Sequence, residues 1–89
     1  MPRPELITRA GAALLEIAVD PDRTMKQLAR DLGWPERDLR RQLAQLEAAG
    51  ALTRQRIGNR NRYEIHREVQ TGGLLRERTV GEFLDGFRA

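Results

Sequence analysis

Apolar residues recur along this 89-residue chain in four stretches with helical spacing and one stretch that alternates. Leu6, Ile7, Ala10, Ala13, Leu14, Ile17 and Ala18 fall three or four residues apart, which places them on one face of an α-helix. They predict a first helix over Pro4–Val19, with Pro4 early in the first turn and Asp20-Pro21-Asp22 as the stop. Thr24 opens a second helix, and Gln27 three residues on completes a capping-box pattern. Met25, Leu28, Ala29 and Leu32 supply its buried face, and Gly33 suits the left-handed position that closes a helix. A third helix is predicted from Pro35, with Leu39, Leu43 and Leu46 as its apolar stripe and Gly50 as its closure.

Beyond Gly50 the period changes from helical to alternating. Leu52–Ile57 and Arg62–His66 read as two strands of a hairpin. Gly58, Asn59, Arg60 and Asn61 form the loop between them, rich in residues that tolerate positive φ. Tyr63 and Ile65 alternate with Arg62, Glu64 and His66, so one face packs while the other meets water. Thr71-Gly72-Gly73 reads as a hinge or loop. Leu74–Ala89 reads as a last helix, with a second capping-box pair in Thr79 and Glu82. Its apolar positions Val80, Phe83, Leu84 and Phe87 either dock on the first helix or form a dimer seam. The fold class expected is mainly α with a small β-hairpin, divided into residues 1–70 and a C-terminal segment 71–89.

Composition bounds the chemistry. Four aromatics among 89 residues leave the core to leucine, isoleucine and alanine, a thin core that dimerisation would enlarge. The absence of cysteine excludes disulfides and thiolate metal sites. No apolar run approaches the roughly 20 residues that span a bilayer. Glu5, Arg9 and Glu16 interrupt the apolar N-terminal stretch, so neither a signal peptide nor a membrane partner is expected, and the expected address is cytoplasmic.

Charge then locates the functional segment. The net charge is +3, but Glu36 to Arg67 holds eight arginines against four acids, a net +4 that leaves −1 for the remainder. The positive charge is thus confined to the third helix and the hairpin, the form an electrostatic footprint takes. With the leucines facing inward, the outward side of the third helix includes Glu36, Arg37, Arg40, Arg41, Gln42 and Gln45. Arginine pairs two hydrogen bonds with guanine O6 and N7, and glutamine does the same with adenine. Arg54, Arg56, Arg60 and Arg62 flank the hairpin turn with no acid between them, the chemistry of a phosphate contact, of a tip around Arg60 that enters a minor groove, or of a charged strand edge.

Other residues take plainer readings. Glu36 and Arg40 form an i,i+4 ion pair, while Asp38 either orients Arg41 or Gln42 or stabilises the helix dipole. Trp34 anchors the core at the turn, and His66, the lone histidine, is a surface residue at a strand end. A hydrolytic nucleophile needs a positioned base, and no such pair or phosphate-cradling glycine loop is present, so no enzyme activity and no cofactor are expected.

The ordered set of segments resembles the winged helix–turn–helix of small bacterial transcriptional regulators, the MarR and ArsR groups in particular. The resemblance rests on Ala29–Gly33 (A-x-x-L-G), Leu43–Gly50 (L-x-x-L-E-x-x-G) and the arginine-rich Arg54–Ile65 closing on Y-x-I. It implies that Pro35–Ala49 is a recognition helix, with Arg37, Arg40, Arg41 and Gln42 at positions that commonly meet DNA. It also implies a wing tip at Asn59–Asn61, a homodimer joined by terminal helices, and a double-stranded DNA partner. It names no small-molecule effector for this chain.

Overall fold

The computed structural model of the chain describes residues 8–58, 60–76 and 79–86. Three helices, α1 (Arg9–Val19), α2 (Met25–Leu32) and α3 (Glu36–Ala48), precede an antiparallel hairpin of β1 (Leu52–Ile57) and β2 (Arg60–Ile65). A 3₁₀ turn over Gly72–Leu75 and a short helix α4 (Val80–Asp85) follow.

Local capping sets the helix boundaries. Thr8 is the extended cap of α1 (φ −68°, ψ 160°), and its hydroxyl accepts from Gly11 N at 3.0 Å. Helix α1 therefore starts at Arg9 rather than at Pro4, and Pro4, Leu6 and Ile7 lie outside the described residues. Ala10, Ala13, Leu14 and Ile17 are buried as their spacing predicts, whereas Ala18 is exposed. Thr24 and Gln27 form the expected capping box of α2, and Gly33 closes that helix at φ 74°. Leu28 and Ala29 are buried, with Met25 and Leu32 half-buried beside them. Pro35 is the extended cap of α3 (ψ 145°) and not its first helical residue. Gly50 (φ 78°) terminates α3 with two reverse bonds, Gly50 N to Glu47 O at 3.0 Å and Ala51 N to Leu46 O at 2.9 Å.

One side chain spans the α1–α2 connection. Arg23 Nη1 reaches Glu16 Oε2 at 2.9 Å and Asp31 Oδ2 at 2.8 Å, and its other nitrogens bond the carbonyls of Glu16 and Asp20. Hydrogen bonding to Asp31, opposed by burial and aided by Glu16, raises its already high pKa, so the cross-link stays charged.

The hairpin is tighter than its sequence suggests. Ile57 pairs with Arg60, so the connection is Gly58 and position 59 alone, and Arg60 and Asn61 belong to β2. Gly58 adopts φ 62°, the backbone a two-residue turn requires. The ladder runs from Leu52 opposite Ile65 to Ile57 opposite Arg60. Leu52 and Tyr63 enter the core and Ile65 packs against it, while the rest of β1 is exposed.

Residues after Thr71 are part of this core. Thr71-Gly72-Gly73 is not a hinge: Thr71 is buried and Leu75 fully so. The last helix starts at Val80 rather than Leu74 and runs to Asp85, opened by the Thr79–Glu82 capping box, with residues 77, 78 and 87–89 outside the described residues. Val80 N donates to Val69 O at 2.8 Å and Gly81 N to Arg67 O at 2.7 Å, which fixes α4 on the segment after β2. Val80 and Phe83 are 0% and 5% exposed, packed inside the chain's own core. Leu84 is half-buried against the same core, and Phe87 lies outside the described residues.

Phe83 sits on α1 at its only glycine. A Cβ placed on Gly11 would approach Phe83 Cζ to 2.7 Å. Gly11→Ala is therefore expected to lower stability by about 1–3 kcal/mol, although alanine favours a helix by about 1 kcal/mol. Adding Phe83→Leu should recover part of that loss. Denaturant unfolding of the single and double variants measures both effects, and a stabilised single variant would contradict this packing.

Candidate nucleic-acid interface

Burial of Leu39, Leu43 and Leu46 turns the opposite side of α3 to solvent. Arg37, Arg40, Arg41, Ala44, Gln45 and Ala48 are exposed there, while Glu36, Asp38, Gln42 and Glu47 are half-buried along the flanks. Gln42 is thus less available than the outward set predicts. Ala44 and Ala48 carry no hydrogen-bonding group, so residue type alone does not mark them as part of this face. Their position three and seven residues after Arg41 would have found them.

Acids accompany most of the cations. Arg40 Nη2 lies 3.2 Å from Glu36 Oε2, the expected i,i+4 pair. Asp38 faces Arg9 of α1 at 3.6 Å and Arg37 at 3.9 Å, so it does not orient Arg41 or Gln42. Its place in the first turn of α3 also suits the helix dipole. Arg9 stacks over the half-buried Trp34 at 4.9 Å from the ring centroid, which fixes the turn between α2 and α3. Arg41 makes no ion pair with any described residue, and the same holds for Lys26 and Arg30 on α2 and Arg56 on β1. Lys26 and Arg30 are exposed and lie outside the sequence-predicted set.

The ribbon arginines are all exposed but differently engaged. Arg54 Nε lies 3.9 Å from Glu47 Oε1 on α3. Arg60 is not at a loop tip, because it is paired in β2 and its Nη2 donates to Asp22 O at 2.6 Å. Arg62 Nε lies 3.9 Å from Asp22 Oδ1. His66 is half-buried at the base of the hairpin, its Nε2 2.6 Å from Thr53 Oγ1.

Tyr63 joins this surface to the core. Burial raises its pKa above 10.0, with Arg54 opposing that shift and Glu47 adding to it. Its Oη has no hydrogen-bond partner among the described residues.

No family model, curated protein or solved structure matches the chain. The reading of this surface therefore rests on its own geometry. No helix among the described residues is long and apolar enough to cross a membrane.

The neutral Tyr63 phenol is the form this fold holds, so its contribution is complete below the unfolded pKa near 10 and is lost as pH rises through the higher folded value. Tyr63→Phe, which deletes an unpartnered hydroxyl, is expected to be neutral or stabilising at pH 7. It should also flatten the loss of stability above about pH 10 relative to the wild type. Unfolding curves at pH 7 and across the alkaline range test this, and a clear loss at pH 7 would show that the hydroxyl is bonded.

Proposed function

We propose that the chain is a winged helix–turn–helix domain that binds duplex DNA sequence-specifically and regulates transcription, in the cytoplasm at the nucleoid. One observation carries the reading: α3 buries all its leucines and turns Arg37, Arg41, Ala44, Gln45 and Ala48 outward, beside a ribbon of exposed arginines. In helix–turn–helix docking the second helix of the motif lies in the major groove and its N-terminal residues touch base edges. Arg41 is the base reader of this proposal, because it is exposed and holds no ion pair that docking must break. Ala44 and Ala48 let the helix backbone approach closely and offer methyl groups to thymine. Gln45 adds an adenine contact, and the ribbon meets phosphates. The proposed unit is a homodimer on a palindrome, joined elsewhere than at Val80 and Phe83, which the core already covers.

A second reading has its own support. Glu36, Asp38 and Glu47 sit among the arginines and lower the positive potential of the face, as suits a protein partner of mixed charge. Winged helices serve either purpose, since fold does not fix function.

Selection from random duplex DNA distinguishes the two. DNA binding predicts an enriched site with half-sites about one helical turn apart. Arg41→Ala should relax one position of that site, at a cost of about 1–3 kcal/mol if it grips a guanine. Absence of enrichment would favour the interaction module.

A further inference from the structure

Strand alternation divides the four ribbon arginines into two pairs that point opposite ways. Arg54 opposes Tyr63 and Arg56 opposes Asn61, so Arg54 and Arg56 share the face of Leu52 and Tyr63. That face packs on the core, and the contact of Arg54 with Glu47 places it on the α3 side. Arg60 and Arg62 occupy the other face, and both engage Asp22 in the α1–α2 connection.

Arg54 and Arg62 are alike, each with Nε 3.9 Å from one carboxylate, so the pairs differ in their other members, Arg56 and Arg60. Arg56 has no ion pair with a described residue and is exposed. Arg60 already donates a 2.6 Å hydrogen bond to the main-chain carbonyl of Asp22, a contact between residues 38 apart in sequence. An isolated two-stranded hairpin is marginally stable in water. Beyond Tyr63 this ribbon has little core contact of its own, so a bond from its outer end to a distant loop sets its angle.

We propose that the ribbon works by face: Arg54 and Arg56, on the side continuous with α3, contact the phosphate backbone, and Arg60 is a positioning residue that braces the ribbon on Asp22. The phosphate-contact half rests on the DNA-binding reading above. The brace half rests on geometry alone. This assignment reverses the expectation that Arg60, as a tip residue, clamps phosphate.

The test measures affinity for one random-sequence duplex across a salt series, together with amide hydrogen exchange of the free protein. Arg56→Ala is expected to reduce the log–log salt slope by about 0.9, the value for one phosphate contact on B-DNA. Arg60→Ala should leave the slope at its wild-type value, weaken binding at every salt concentration, and speed exchange of β1 and β2 amides. Arg60→Lys, which retains a donor for Asp22 O, should restore both protection and affinity. The assignment is overturned if Arg60→Ala lowers the slope as Arg56→Ala does, if Arg56→Ala leaves the slope unchanged, or if ribbon exchange is unaltered in Arg60→Ala. Wild-type protein with no salt-dependent duplex binding removes the DNA reading and the contact half with it. The exchange data then still decide the brace.

Discussion

Burial of Leu39, Leu43 and Leu46 against α1 fixes the rotation of α3 about its own axis, and the rest of the surface follows from that. Each leucine removed from water contributes about 1.5–3 kcal/mol. Turning the helix by even one residue would expose a leucine and bury a charged neighbour without compensation. The outward identity of Arg37, Arg41, Ala44 and Gln45 is therefore a consequence of core packing. The second constraint is the turn that delivers α3 to this position. Gly33, Trp34 and Pro35 make it, and Arg9 pins it by lying over Trp34 while pairing with Asp38.

The C-terminal segment explains how so small a chain completes a core with few aromatics. Leu75, Val80 and Phe83 join the core cluster of the three helices, with the Phe83 ring against Gly11 of α1. The small residues of α1 admit the Phe83 ring, and the bonds from Val80 and Gly81 to Val69 and Arg67 hold α4 in place. A terminal amphipathic helix that looks available for a partner is thereby committed to the monomer. The exposed polar surfaces of the chain then include those of α3 and the ribbon.

Much of the fold was legible because its determinants are local. The leucine stripe of α3, the two capping boxes, and the glycines at 33 and 50 are patterns within four residues of each other, and each element they imply is present. The failures share a different physical cause. Whether Thr8 caps α1, whether Thr71–Leu75 is a loop or a buried turn, and where the last helix starts depend on contacts across the fold. The bond from Thr8 Oγ1 to Leu74 O at 2.6 Å is one such contact. The hairpin loop was drawn two residues too long because Arg60 and Asn61 suit a turn as well as a strand, and only pairing decides. For the same reason the sequence located the arginines without revealing their partners. Asp22, distant in sequence, takes up Arg60 and Arg62, and Asp38 pairs with Arg9 of α1 as well as with its neighbour Arg37.

Electrostatically the face is a set of tethered cations with a few free ones among them. Exposed ion pairs such as Glu36–Arg40 are individually weak, so the acids act mainly by lowering the local potential and thus the affinity for arbitrary polyanion. The unpaired Arg41 and Arg56 keep their full capacity for a ligand. The most direct measurement of this account is an amide chemical-shift titration of the labelled protein with a duplex obtained by selection. Saturable shifts concentrated at Arg37, Arg41, Ala44 and Gln45 and along β1 are expected, with α1 and α4 nearly unmoved. Shifts confined to α4 or the α1–α2 connection, or none at all, would contradict it.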